Sequence, residues 1–290
     1  KKKKMVGLLG RTLILFMWPL RKGFSLNIGT SLETLVRAPL YSLEQAVAGQ
    51  QIPRIPASKN RLRFDTLIST KEDQEFDHSL WDQVLSSYVK DGCVNYSGIR
   101  ADERFEKYLT QLEEAPVPKK PLDRLAYHIN AYNALCVAFV VRNPNISSIL
   151  DLSKKDLQIW DTPTVVKLGG VEISLNQIEH DRLRGEWDEP SIHACIVCAS
   201  KSCPDLRDRA YFPKDLESTM KTQLNNWLQN ELKGCFVDDS RVFLSRIFLW
   251  FEADFQSHGG VLPFVRNFRS DIPENPAIRY LNYDWSLNSS

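Results

Sequence analysis

The sequence predicts an α+β fold, with a helical N-terminal half packed on a small, mainly antiparallel sheet. Apolar residues recur at helical spacing over residues 78–90, 104–112, 122–141 and 214–232. Two hairpin patterns follow, at 164–175 around Gly169-Gly170 and at 235–245 around Asp238-Asp239-Ser240. Between them runs S-I-H-A-C-I-V-C-A, residues 191–199. It is apolar and β-branched, and reads as a buried strand that joins both hairpins in one sheet.

The bulk properties suit such a fold. The 290 residues are 43% apolar and 25% charged, ordinary for a globular protein, and suffice for one large domain or two small ones. A formal net charge of +1 gives no field that would attract nucleic acid. Zinc-finger spacing, a dinucleotide-binding glycine pattern and a phosphate-binding loop are all missing, so no cofactor or metal is expected. Six cysteines in a chain of this length do not make a disulfide framework.

The chain begins with four lysines and then M-V-G-L-L-G-R-T-L-I-L-F-M-W-P-L. This suits a signal peptide, with its basic start and apolar segment. It suits a membrane anchor less well, because the apolar part is shorter than the ~20 residues a bilayer crossing needs and Arg11 interrupts it. It also suits an interfacial helix, with Leu13, Phe16, Met17 and Trp18 in the headgroup boundary, or an arm packed on a partner. We expect residues 1–75 to be an extension that docks on a membrane surface or a membrane-protein complex. Pro53 and Pro56 mark a linker or surface strap within it. The expected location is membrane-associated, in a periplasmic, otherwise extracytoplasmic or organellar compartment rather than free cytosol.

Residues 76–290 form the expected single globular domain. Its first helix puts Leu80, Trp81, Val84, Leu85 and Tyr88 on one side, and Asp91-Gly92 then turns the chain into a short extended piece. The apolar helix 122–141 carries His128, Asn130, Tyr132 and Asn133. Asn130 and Asn133 lie one turn apart on a shared face, where buried amides must find partners. They either tie down a neighbouring loop or orient a catalytic residue. After the first hairpin comes a helix start, N-Q-I-E-H-D-R-L-R, with Asn176 as its expected N-cap. Glu179 and His180 are adjacent there, so they diverge by about 100° and each faces a different surrounding. Later, Gly234 caps the helix 214–232, residues 247–255 form an aromatic-rich buried segment with carboxylates Glu252 and Asp254, and the end of the chain reads as a docked tail.

The reactive residues concentrate around 191–206. A strand would send His193 and Cys195 to one face and Cys198 to the other, which argues against a C-x-x-C site at 195 and 198. Pro204 suits the first position of a helix, which would leave Cys203 at an N-cap whose free N–H groups favour a thiolate. The same pattern fits an ordinary core strand followed by a turn. A Cys198–Cys203 disulfide across that loop suits an oxidising compartment.

Six ordered motifs resemble the family catalogued as domain of unknown function 547. They are H-I-N-A-Y-N-A-L at 128–135, I-S-L-N-Q-I-E-H at 173–180, I-H-A-C-I-V-C-A-S at 192–200, S-C-P-D-L at 202–206, F-L-S-R-I-F-L-W-F-E-A-D-F at 243–255 and Y-D-W-S-L-N at 283–288. The resemblance runs from about Trp81 to Leu287, some two thirds of the chain. It carries the family pattern to Asn130, Tyr132, Asn133, Ser174, Asn176, Glu179, His180, His193, Cys198, Ser200, Cys203 and Pro204. The chain departs from the family at His128, usually aromatic, and at Cys195, usually small, which removes Cys195 from the site.

The Cys, His, Asn and Glu set that the resemblance implies is similar to thiol hydrolases of the papain and transglutaminase type. Two functions are therefore expected. In the first, Cys203 or Cys198 attacks an amide, peptide or thioester carbonyl and His180 or His193 is the general base. Glu179, Asn130 or Asn133 orients that base, and N–H groups at a helix start hold the oxyanion. In the second, the domain is a non-catalytic subunit of a membrane-associated assembly, and the motif residues hold its fold together.

Overall fold

The computed structural model describes residues 61–67 and 75–290. All of these lie within the unit Gly49–Ser290. Most of the expected docking arm, 1–75, is outside the described residues, including the basic and apolar stretch at its start.

The described chain is α+β. Helix α1 spans Ser79–Tyr88 and leads straight into strand β1, Val89–Lys90, which pairs antiparallel with β2, Cys93–Val94. Asp91 and Gly92 both have positive φ, 50° and 76°, as a two-residue hairpin of this twist requires. A short helix α2, Tyr96–Arg100, precedes α3, Glu103–Glu114. Trp81 of α1 stacks on Tyr108 of α3 at 5.8 Å, with both rings fully buried.

Helix α4, Pro121–Arg142, is the centre of the domain. Pro121 opens it, where a missing N–H costs nothing, and all but a few of its side chains are buried. A helix that is apolar all round belongs inside other elements, and α4 is enclosed in this way.

Beyond α4 the expectations divide. The segment 164–175 turns at Gly169-Gly170 as predicted, yet it forms isolated bridges, Leu168 with Val171 and Pro163 with Ser174, and joins no sheet. The helix that follows contains a π-helical stretch, Gln177–Leu183, in which Arg184 N–H donates to the Glu179 carbonyl at 2.8 Å. Its start is held by Ser174 rather than Asn176. Gln177 N–H donates to Ser174 Oγ, Ser174 N–H donates to Gln177 Oε1, and the Asn176 side chain goes to Asp161 instead.

The predicted strand 191–199 is not a strand. Residues Ile192–Cys195 form one helical turn, α5, which ends in an extended Ile196, and 196–198 belong to no strand. The reason is long-range. Asn133 on α4 donates to the Cys195 carbonyl and accepts from Val197 N–H, both at 2.8 Å, so a side chain takes the place a neighbouring strand would have filled. Nor does a helix begin at Pro204. The next helical residues are a single turn at Pro213–Asp215, followed by α6, Leu216–Gln229.

Gly234 closes α6 as expected. A Cβ there would run into the Trp227 carbonyl oxygen. The second hairpin forms as predicted, with β3, Cys235–Asp238, antiparallel to β4, Arg241–Leu244. Its third strand was not anticipated. Strand β5, Ala277–Tyr280, pairs parallel with β4, so the sheet order is β3-β4-β5 and the sheet is mixed. Two short elements, α7 at Arg246–Trp250 and α8 at Val261–Arg266, flank a 3₁₀ stretch at Glu252–His258.

Two straps cross the surface. Residues 61–67 dock by a parallel bridge between Leu62 and Trp187 and by Arg61 bonding to Asp188 at 2.8 Å. The C-terminal tail is tied at several points. Leu287 N–H donates to the Ser147 carbonyl, Asn288 N–H to the Ala199 carbonyl, and Tyr96 OH to Asn288 Oδ1 at 2.6 Å.

Candidate functional site

Cys198 and Cys203 face one another across a tight loop. Ala199 adopts φ 61°, the left-handed region that a Cβ disfavours, and Cys203 N–H donates back to the Ser200 carbonyl at 3.2 Å. The tail covers this turn, with Ser200 bridged to Leu287 and Asp284 N–H donating to Ser202 Oγ at 2.8 Å. The loop thereby brings the two sulfurs to 2.8 Å, and Cys198 N–H donates to Cys203 Sγ at 3.1 Å.

Both thiols are buried, but unequally served. Burial opposes a thiolate at Cys198. The hydrogen bonds its sulfur receives from Cys203, from Ser200 at 3.3 Å and from Tyr283 OH at 3.4 Å outweigh this and bring its pKa down to about 7. For Cys203 burial and the neighbouring Cys198 sulfur act together, and its pKa lies well above the ordinary thiol value. Of the two, Cys198 gives up its proton more readily. No helix stands behind Cys203 to do for it what the sequence suggested.

These sulfurs line a cavity of about 30 Å³ together with Tyr132, Glu179, His193, Trp250 and Tyr283. Tyr132 OH donates to Glu179 Oε2 at 3.2 Å. Burial raises the Glu179 pKa to about 7, with Arg184 and the Tyr132 bond only partly opposing it, so near neutral pH this carboxyl is poised to give or take a proton. Trp250, on the cavity wall, has a buried Nε1–H without a hydrogen-bond partner among the described residues.

His193 belongs to a second buried group. Its Nε2 lies 2.7 Å from Asp254 Oδ2, and Arg184 grips the same carboxylate with Nε at 2.6 Å and Nη2 at 2.9 Å. Burial works against the Asp254 charge, but His193 and Arg184 prevail and hold this carboxyl below its usual range. An ionised carboxylate only accepts, so His193 carries its proton on Nε2 and its lone pair on Nδ1. Burial lowers the His193 pKa despite Asp254, which keeps the ring neutral.

The remaining predicted residues fall elsewhere. His180 accepts from Arg184 Nη1 at 2.8 Å through Nδ1, and burial first, then Arg184, brings its pKa down to about 3. That places its proton on Nε2, a buried atom without a partner among the described residues. Asn133 is bound to the backbone of 195–197 as described above. Asn130 does the same at Tyr211, donating to its carbonyl at 2.8 Å and accepting from its N–H at 3.0 Å. Cys195 donates to the Ser191 carbonyl and is pushed up by burial to about 12.

The structure thus brings Glu179, His193, Cys198 and Cys203 to one cavity, and sets Asn130, Asn133 and His180 apart from it. Sequence reasoning did not supply Arg184 or Tyr283, and took Asp254 only as one of two carboxylates in an aromatic segment. Asp254 and Tyr283 do lie inside two of the quoted motifs, F-L-S-R-I-F-L-W-F-E-A-D-F and Y-D-W-S-L-N. Arg184 carries no comparable signal, being one of two arginines at the end of a charged helix.

Fold and site together define an α+β domain with a buried thiol pair beside a histidine–aspartate pair. The family described as "Protein of unknown function, DUF547" matches residues 120–228, which include four of the six motifs. The resemblance drawn from those motifs holds over that segment, a narrower span than the one expected. No curated protein matches the chain, and no solved structure matches it either. The narrower expectation of a papain- or transglutaminase-like organisation gains nothing from these comparisons.

Proposed function

We propose that the domain is a thiol-dependent acyl hydrolase or transferase, acting on an amide, peptide or thioester with Cys198 as nucleophile. One observation carries this. Cys198 and His193 line the same cavity, and the second ring nitrogen of His193 is held by a buried aspartate. A nucleophile and a base on one cavity wall, with the base oriented by a carboxylate, supply the three groups that acyl transfer needs.

In this mechanism the Cys198 thiolate attacks the carbonyl carbon. When Cys198 still carries its proton, His193 Nδ1 takes it and returns it to the leaving group; when Cys198 is already ionised, the protonated Glu179 carboxyl supplies that proton instead. Asp254 fixes the ring through Nε2–H and steadies the imidazolium while it exists. The developing oxyanion is met by donors on the cavity wall, Tyr283 OH, the Trp250 Nε1–H and the protonated Glu179 carboxyl. The cavity is far smaller than the roughly 300 Å³ or more of a ligand pocket, so substrate entry requires the Tyr283–Trp285 part of the tail to move outward.

The test is an acyl-trapping experiment on reduced full-length protein. A panel of activated esters and thioesters should leave an acyl group on Cys198, found by peptide mass, and none in Cys198→Ala. If native Cys198 takes up no acyl group from any of them while the unfolded chain does, the acyl-transfer reading is lost and the non-catalytic subunit takes its place. The basic and apolar start of the chain supports the further proposal that residues 1–75 bind a membrane surface or a membrane-protein complex. Co-sedimentation with anionic vesicles, lost on removal of residues 1–20, checks it.

A further inference from the structure

A single nucleophile does not need a second buried thiol pressed against it. Cys198 Sγ and Cys203 Sγ sit 2.8 Å apart, and a small side-chain movement would close them to the ~2.05 Å of a covalent S–S bond. The pairing is selective. Cys195, in the same stretch, turns its thiol to the Ser191 carbonyl, and Cys136 and Cys235 are buried free thiols. The loop between the two sulfurs is already folded back, with Ala199 in the left-handed region and the tail pinned across it. The cavity beside them, about 30 Å³, has room for a water-sized reactant without any movement of the tail.

We propose that Cys198 and Cys203 are a redox pair, in which hydrogen peroxide oxidises Cys198 and Cys203 resolves the product into a reversible intramolecular disulfide. In the first step the Cys198 thiolate attacks one peroxide oxygen and the O–O bond breaks. Cys198 becomes a sulfenic acid, and the leaving hydroxide takes a proton to form water, with the Glu179 carboxyl in the cavity as its donor. In the second step the Cys203 sulfur attacks the sulfenic sulfur. The S–S bond forms, the S–OH bond breaks, and hydroxide leaves with the Cys203 proton as a second water. Two thiols are oxidised by two electrons and one peroxide is reduced to two waters. A small-molecule dithiol reverses the change by exchange.

The disulfide stands on the sulfur geometry alone. Its consequence, that oxidation switches off acyl transfer, rests on the proposed role of Cys198 as nucleophile. The two are tested separately. Reduced full-length protein is treated with near-equimolar hydrogen peroxide, the remaining thiols are alkylated, and the chain is cut with trypsin. Lys201 lies between the two cysteines, so a Cys198–Cys203 bond joins two peptides that are otherwise separate. The expected result is loss of both thiols in step, appearance of the joined peptides, and full recovery with dithiothreitol. In Cys203→Ala, a dimedone-type probe should instead label Cys198.

The wild-type measurement decides the matter even if the variant does not fold. Sulfinic acid at Cys198 with Cys203 still open to alkylation would overturn the proposal. So would two thiols that stay reduced until the chain is unfolded. Joined peptides from a protein that never takes an acyl group would uphold the redox pair and remove only its link to acyl transfer.

Discussion

Helix α4 carries buried polar side chains toward two different settings. On one side Asn130 and Asn133 each close two backbone hydrogen bonds, and every amide atom that needs a partner has one. On the other, Tyr132 reaches Glu179 beside a cavity where a carboxyl and a thiol both titrate near neutral pH and an indole N–H goes unpaired. Burial is the same in both places. The difference is satisfaction. A saturated amide fixes backbone geometry, whereas a cavity with spare donors and groups that can change charge is prepared to meet something else.

Substitutions should separate the two settings. The largest effect is expected from Cys198→Ala, which should abolish acyl labelling outright while thermal unfolding stays close to wild type, because the thiol is a small core group. Asp254→Asn comes next. Loss of the carboxylate frees the His193 tautomer and leaves Arg184 buried without its partner, so acylation should slow by about 10³–10⁴-fold. A stability cost of about 3–5 kcal/mol should accompany it, read by urea unfolding. A rate equal to wild type would detach the His193–Asp254 pair from the chemistry.

Glu179 gives a prediction with a sign. Its carboxyl holds a proton more readily folded than unfolded, so the native state carries the extra proton between about pH 4.5 and 7 and stability falls as pH rises through that window. The swing should be about 3 kcal/mol, and Glu179→Gln should flatten it. On the saturated side, Asn133→Ala strands the Cys195 carbonyl and Val197 N–H, at about 2–3 kcal/mol, and leaves the pH dependence of Cys198 alkylation in place. The smallest effect should come from Cys195→Ala, about 1 kcal/mol, with no change in labelling at Cys198. Were Asn133→Ala to alter the Cys198 titration as strongly as its stability, the two settings would be one.

Local pattern made much of this legible. The helices now at α1, α3, α4 and α6, the hairpin β3-β4, the Asp91-Gly92 turn and the docked tail all follow from periodicity and turn chemistry. What failed was decided at a distance. The apolar run 191–199 has a strand's composition, but Asn133, some 60 positions earlier in the chain, satisfies its backbone and leaves one helical turn. Cys203 lacked its helix because the chain stays irregular from Pro204 to Phe212. Glu179, His193, Cys198 and Cys203 reached one cavity, yet the orienting group for His193 came from Asp254, 61 positions later in sequence. No local spacing contains such a pairing, and the π-helical stretch under Glu179 has no sequence signature of its own.

The most direct measurement is the rate of alkylation of each cysteine in reduced native protein as a function of pH, resolved by peptide mass. Cys198 should reach half its maximal rate near pH 7, while Cys195 and Cys203 stay almost unreactive up to the ~8.5 of an ordinary thiol. A Cys198 that reacts no faster than Cys195 at every pH in that range would contradict an activated thiol at the centre of this domain.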